Sequence, residues 1–157
     1  MDSLLSIEIA ASGLDAQRMR MTAIASNLAN MQSTRNADGE GIYQRREVIF
    51  RAQPTSAFSD VLAEKMNMNA GDEARAKVLK MMRGVQATSV VDGNSPPKVV
   101  HEPGHPDADE NGNVTYPNIS VIKEMSDMIA AQHSYEANLA LVRSTIAMIQ
   151  QAMRISM

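Results

Sequence analysis

The C-terminal end of the chain restricts its fold more than any other feature. From about Asn118 onward, apolar residues recur in alternating steps of three and four, and no Gly or Pro interrupts them. This spacing is typical of a helix that packs along one narrow stripe. A helix of about 35 residues is roughly 50 Å long, which is far longer than an average globular helix. The predicted stripe consists of Val121, Met125, Met128, Gln132, Tyr135, Leu139, Val142, Ile146, Ile149 and Met153.

A second stripe of the same kind lies near the N-terminus, from about Ser3 to Asn30. Arg18 falls within it and interrupts it, and Ser12-Gly13 marks a point where the helix is expected to bend, because Gly disfavours helix. An isolated helix with one apolar face is unstable in water. The two terminal helices are therefore predicted to cover each other as an antiparallel coiled coil. The N-terminal stripe consists of Leu4, Ile7, Ala11, Leu14, Met21, Ala25 and Leu28.

The middle of the chain has turn signals and short alternating segments instead of helical stripes. Short helices are predicted around 60–65 and 73–82, and Asn111-Gly112 is a tight-turn signal. The chain is thus predicted to be α+β, with an N-terminal helical region 1–35, a small β-rich module 36–117 and a C-terminal helical region 118–157. The predicted strands are Tyr43–Phe50, Val85–Val91, Lys98–Glu102 and Val114–Tyr116.

The apolar residues are of an unusual kind for a compact core. Hydrophobic residues make up 44% of the chain, yet it has no Trp, two Phe, three Tyr and 13 Met. Burial must therefore come from aliphatic side chains and Met, which suits helix-on-helix packing and adaptable surfaces.

Charge and cysteine content argue against several classes of protein. The net charge is −3 with no block of basic residues, so no nucleic-acid partner is expected. The absence of Cys excludes disulfides and thiolate chemistry. No basic stretch precedes an apolar run at the N-terminus, so no ordinary secretory signal peptide is expected. No run of 18 apolar residues exists, so no direct membrane insertion is expected.

The segment His101–His105 matches the H-E-x-x-H pattern of zinc proteases. That chemistry needs both His side chains on one face of a helix. Pro103 and Gly104 lie between them and Pro106 follows, which strongly disfavours a helix. The pattern therefore favours a rigid turn.

Residues 107–112 match the first half of an EF-hand loop, with Asp107, Asp109 and Asn111 at ligand positions. Such a loop requires a Glu at its twelfth position, which Asn118 occupies here. Carboxylate and amide side chains that fold back onto their own backbone as turns are favoured instead. A metal-binding protein or metal-dependent hydrolase built on the His101–Asn111 loop is the alternative function.

Several segments resemble the family of flagellar rod and hook proteins. Ala25–Asn30, followed by Ser33-Thr34, resembles the N-terminal motif that the family shares. Pro103–Gly112, followed by Tyr116–Asn118, is more specific and resembles the proximal rod members. The chain departs from the family pattern at 54–82 and after Asn138. Further matching segments are Ala11–Leu14, Gln17-Arg18, Ser95–Pro97 and Ser134–Asn138.

The resemblance implies a structural subunit of the bacterial flagellar basal-body rod, without enzymatic activity or cofactor. Such subunits leave the cell unfolded through the flagellar export apparatus, without a cleaved signal peptide. They assemble helically with copies of themselves and with other rod proteins into the periplasmic drive shaft that transmits torque for motility. The terminal helices are expected to line the tube, with the middle module outward.

The contacts between subunits are predicted to lie on the terminal helices. Asn27, Asn30 and Asn138 are expected to set register between subunits, with helix capping for Asn30 and solvation for Asn138 as alternatives. A further expectation is that Arg18 or Arg20 pairs with Glu136 between antiparallel helices. The predicted interface residues are Leu14, Met21, Asn27, Leu28, Asn30, Tyr135, Asn138, Leu139, Val142, Ile146 and Ile149.

Overall fold

The structure, a computed structural model, describes residues 2–36, 41–54, 83–93 and 95–155. The short helices predicted around 60–65 and 73–82 lie outside the described residues. Along the described part of the chain, the α+β prediction is confirmed. The elements are α1 (Asp2–Ala29), β1 (Arg46–Pro54), β2 (Arg83–Val91), β3 (Lys98–His101), β4 (Asn113–Tyr116) and α2 (Val121–Ile155).

Helix α1 continues through Ser12 and Gly13, where a bend was expected. It ends where Asn30 closes the last turn. The Asn30 backbone N–H and its side-chain Nδ2 both donate to the Ser26 carbonyl, at 3.1 and 2.9 Å. The Asn30 Oδ1 in turn accepts from the Ser33 hydroxyl at 3.2 Å. The alternative of helix-end capping by Asn30 is thereby confirmed.

Helix α2 begins three residues later than the predicted region at Asn118. The Glu124 N–H donates to the Ser120 carbonyl at 2.9 Å, which closes the first turn. The helix then runs for 35 residues, the length that the apolar repeat indicates. Among the described residues, neither this helix nor α1 combines the length and hydropathy needed to cross a membrane.

The strands form two separate two-stranded sheets, β1 with β2 and β3 with β4. β3 and β4 are antiparallel, with Lys98 opposite Tyr116 and His101 opposite Asn113. Gly112, just before β4, has a φ of 73°, which explains the glycine of the predicted turn. β1 starts at Arg46, later than predicted, because Tyr43 is buried and uses its hydroxyl in contacts with α1.

The chain divides into two compact units, each of which combines parts of α1, the strands and α2. Unit 1 comprises residues 1–18, 50–87 and 133–157, and unit 2 comprises residues 19–49 and 88–132. Most of the buried apolar side chains are small. In unit 1 they are Ala10 and Ala16, and in unit 2 they are Ala23, Ile24, Tyr43, Val114 and Ala131.

The buried faces of both helices differ from the predicted stripes, which is a correction to the sequence analysis. In α1, Ala11 and Ala25 are exposed while Ala10, Ala16, Ala23, Ile24 and Asn27 are buried. In α2, the predicted members Val121, Met125, Gln132, Ile146 and Met153 are exposed. The buried residues of α2 are Glu124, Ala131 and Thr145.

The period of the α2 pattern is correct although half of its members are displaced. The other five members, Met128, Tyr135, Leu139, Val142 and Ile149, are half-buried. Between them the helix buries small or polar residues and leaves the larger apolar ones outside. The assumption that large apolar residues face inward is therefore wrong for half of the predicted stripe.

Candidate assembly interface

A buried polar cluster joins α1, the segment before β1 and the first turn of α2 in unit 2. Its centre is Asn27, whose side chain is 0% exposed. The Asn27 Nδ2 donates to the Arg46 carbonyl at 2.8 Å and to the Glu124 Oε2 at 3.1 Å. Its Oδ1 accepts from the Arg46 N–H at 2.8 Å and from the Tyr43 hydroxyl at 3.0 Å. The amide therefore uses both of its donors and both acceptor sites.

Glu124 carries the buried charge of this cluster, with 1% of its area exposed. Arg45 meets its Oε1 with two nitrogens, Nε at 2.9 Å and a terminal guanidinium nitrogen at 2.8 Å. A buried carboxylate is tolerated only when it is paired and hydrogen-bonded, as it is here. Sequence reasoning missed Glu124 because an acidic residue in the first turn of a helix is usually a surface feature of the helix dipole.

A second polar contact between α1 and α2 in unit 2 joins Arg20 to Asp127 at 2.9 Å. The predicted pairing of Arg18 or Arg20 with Glu136 is wrong. Arg18 instead pairs with Asp15 on its own helix at 3.1 Å, and the Glu136 carboxylate lies 3.8 Å from the His133 ring. The residue spacing alone allowed several antiparallel registers, so it could not identify the partner of either arginine.

In unit 1, Ser12 and Gly13 bring α1 against β2 and α2. The Ser12 hydroxyl donates to the Ile9 carbonyl at 2.7 Å and accepts from the Val85 N–H at 3.0 Å. A Cβ at Gly13 would lie 2.9 Å from the Asn138 Nδ2. The glycine thus permits the close approach of Asn138, which explains its presence in the middle of a helix.

Large apolar side chains of α2 face away from these contacts. In unit 2, Ile122 is 81% exposed, and Met125 and Ile129 are each 53% exposed. Their spacing of three and four residues places them on one stripe of the helix. In unit 1, Leu141, Met148 and Ile155 form a second exposed stripe with steps of seven residues. Exposed apolar stripes on a helix are candidate interaction sites.

The predicted interface residues fall into three groups in the single chain. Asn27 is enclosed within unit 2 and makes its contacts inside the chain. Ile146 is exposed. The contacts of this set with neighbouring subunits stay a prediction. The half-buried members are Leu14, Met21, Leu28, Asn30, Tyr135, Asn138, Leu139, Val142 and Ile149.

The His101–Asn111 loop folds onto itself as a series of turns. The His105 N–H donates to the Glu102 carbonyl at 3.1 Å, and its Nδ1 accepts from the Asp107 N–H at 3.1 Å. The Asp109 carboxylate accepts from the N–H groups of Asn111 and Asn113 at 2.9 and 2.7 Å. The favoured interpretation of this segment as turns is confirmed. Within the described residues, no group of three or more His, Asp or Glu side chains is arranged to hold a metal ion.

Two titratable groups of this region have shifted pKa values. The Thr34 hydroxyl donates to Asp107 at 2.7 Å and, with the Arg35 guanidinium nearby, lowers the pKa of Asp107. The Tyr116 hydroxyl donates to Glu102 at 3.0 Å, and this hydrogen bond raises the pKa of Tyr116. Through its contacts with Thr34 and Arg35, Asp107 links the segment that follows α1 to the loop between β3 and β4.

Two family models match the ends of the chain, where this architecture resides. The model described as Flagella basal body rod protein matches residues 7–41. The model described as Flagellar basal body rod FlgEFG protein C-terminal matches residues 110–155. Together with the relatives below, these matches show that the chain belongs to the flagellar basal-body rod proteins, as a structural subunit of the rod in the basal body.

Relatives of nearly the same length indicate that the chain is a rod protein of the FlgC type. The chain is 34% identical to the flagellar basal-body rod protein FlgC of Bacillus subtilis over 159 residues, covering 99% of both chains. It is 33% identical to FlgC of Borreliella burgdorferi, covering 96% of this chain and 95% of the relative. It is 35% identical to FlgC of Salmonella typhimurium, covering 94% and 93%. The resemblance to flagellar rod proteins is thereby confirmed.

Proposed function

We propose that this chain polymerises helically through its terminal helices, with copies of itself and with other rod proteins, into the periplasmic drive shaft. In this proposal α1 and α2 pair as an antiparallel coiled coil within each subunit. The chain reaches its site unfolded through the flagellar export apparatus, without a cleaved signal peptide. The β-rich middle module faces outward.

The observation that carries this proposal is the exposed apolar surface of α2. Ile122, Met125 and Ile129 face away from the buried polar cluster of unit 2. Burial of apolar area stabilises association by about 25 cal/mol per Å² before the costs of ordering are subtracted. Repeated contact between one surface and a different surface of the next copy produces an open helical filament when the rotation between copies does not close into a ring.

The polar contacts between the helices support the antiparallel pairing. In unit 2, Arg20 contacts Asp127 and Asn27 contacts Glu124, so the residue number falls in α2 as it rises in α1. In unit 1, the close approach of Gly13 and Asn138 follows the same order.

The test is rod assembly in the source cell after the α2 stripe is made polar. In a strain that lacks the wild-type chain, the triple variant Ile122→Ser, Met125→Ser and Ile129→Ser is expected to abolish motility. The variant is also expected to be missing from purified hook–basal bodies by mass spectrometry. The matched control is Val99→Ser, since Val99 is a 59% exposed apolar residue outside the helices.

Normal motility and normal incorporation of the triple variant would contradict the assembly role of this stripe. Absence of the wild-type chain from basal bodies that contain other rod proteins would contradict the proposed assembly as a whole. Loss of motility in the control to the same extent would show that any change of exposed apolar area is harmful, which would also contradict the specific proposal.

A further inference from the structure

The residues buried on α1 and α2 are mostly too small to define how the helices align. Large side chains normally fix helix alignment by inserting knobs into holes of the facing helix. Here the buried positions include alanines, such as Ala23 and Ala131 in unit 2, and Ile24 of α1, while most large apolar residues of α2 are exposed or half-buried. Because an alanine surface meets a similar surface after a slip of one turn or one heptad, apolar packing discriminates weakly between registers.

The buried polar groups of unit 2 do not tolerate a slipped register in this way, because each has a specific partner. The Glu124 carboxylate is held by Arg45 on one oxygen and by Asn27 on the other. Asn27 is itself fixed by the backbone of Arg46 and the hydroxyl of Tyr43. Arg45 has 15% of its side chain exposed, so water cannot readily replace its partner.

We propose that Glu124, held by Asn27 of α1 and by Arg45 before β1, is the positioning residue that fixes the register of α2 against α1. A slip of one heptad moves a residue of α2 by about 10 Å along the helix axis. In one direction such a slip puts Ala131 in place of Glu124. In the other it puts Pro117 there, which precedes the helix. Either slip leaves Arg45 and Asn27 without the carboxylate.

A slip of the helices would also break the contact between Arg20 and Asp127, but this contact contributes less to the choice of register. Both side chains are about a third exposed, at 32% and 30%. Water can therefore replace either partner after a slip, as at other solvated ion pairs. The register depends on Glu124 because its partners are shielded from water.

This register decides where Ile122, Met125 and Ile129 lie relative to the exposed face of α1. That consequence rests on the proposed assembly, since only a neighbouring subunit would use both surfaces at once. The register itself is a property of one chain. It is therefore measurable on the dilute monomer, whatever the outcome of the assembly experiments.

The test is a distance measurement by pulsed electron paramagnetic resonance on the full-length chain. The natural sequence has no Cys, so the substitutions Ala25→Cys and Gln132→Cys place the only two spin labels at exposed positions of α1 and α2 in unit 2. The otherwise wild-type chain is expected to give one narrow distance distribution. The variant to compare is the double substitution Arg45→Met and Glu124→Leu in the same labelled chain.

Replacing both members of a buried ion pair by apolar residues often leaves stability unchanged or higher. The double variant is therefore expected to keep its urea midpoint while its distance distribution broadens or acquires a second population from slipped helices. The single substitution Glu124→Leu is expected to broaden the distribution and also to lower the midpoint. A purely structural role would return both quantities to wild-type values in the double variant.

The control for general loosening is Val114→Ala, which removes two methyl groups from a buried side chain of β4 and leaves the polar cluster of Glu124 intact. It is expected to lower the urea midpoint while the label distance stays narrow and unshifted. A narrow wild-type distance in the double variant would overturn the proposal. Equal broadening in the Val114→Ala control would overturn it as well, because the broadening would then report lost stability rather than lost register.

Discussion

Replacing Asn27 by Ala is expected to lower the free energy of unfolding by about 3 kcal/mol. The substitution removes a partner from four groups, but two of them keep another one. The Tyr43 hydroxyl retains the Ser26 hydroxyl at 3.0 Å, and the Glu124 carboxylate retains Arg45. The N–H and carbonyl of Arg46, which are part-buried, lose their side-chain partner, and each group left unpaired costs about 1–3 kcal/mol.

The measurement is urea denaturation followed by far-ultraviolet circular dichroism, with the wild-type and Asn27→Ala chains compared at equal m-values. A domain of this size is stabilised by about 5–15 kcal/mol, so the expected loss shifts the midpoint clearly. The matched control is Asn30→Ala, three residues further on, where the amide is half-buried at a helix end. It is expected to cost about 1 kcal/mol. A loss from Asn27→Ala no larger than that of Asn30→Ala would refute the reasoning.

Three other substitutions test separate features. The hydrogen bond from Thr34 is the main cause of the lowered pKa of Asp107. The Asp107 carboxylate therefore stabilises the fold above the ordinary carboxyl pKa, and this stabilisation is lost as the pH falls through the lowered value. Unfolding curves of the wild type and of Asp107→Asn should converge at low pH and diverge at neutral pH. Gly112→Ala should destabilise by about 1–2 kcal/mol, because φ is 73° there, whereas a change below a few tenths would contradict the strain argument. Gln17→Met should raise the thermal midpoint, since the buried Gln17 Oε1 has no hydrogen-bond partner among the described residues; a lower midpoint would count against it.

Much of the fold follows from the sequence because helix length and strand position depend on local patterns. The absence of Gly and Pro after Asn118 predicted a helix of about 35 residues, which is the length of α2. The alternation from Val85 to Val91 is part of β2, and Lys98–Glu102 contains β3. Asn30 and Gly112 have the capping and turn roles that their residue types favour.

The buried faces of the helices were harder to predict, for a physical reason. A hydrophobic pattern shows which residues must leave water, but not whether the same subunit or its neighbour covers them. In α2 half of the predicted stripe, including Met125 and Ile146, is left exposed by the single chain. Glu124 and Asn27 gave no apolar signal, and their burial depends on Arg45, which is 79 residues from Glu124 in sequence.

The polar contacts between the helices also have a consequence for the order in which the chain folds. Asn27 and Glu124 are separated by 97 residues, and Arg20 and Asp127 by 107, whereas β3 and β4 join residues that are close in sequence. Closing long loops costs entropy before any contact compensates for it, so local elements fold first. The β3–β4 hairpin is thus expected to form early. The contacts of α1 with Glu124 and Asp127 must wait until the start of α2 is present, so that a partly synthesised chain cannot complete them.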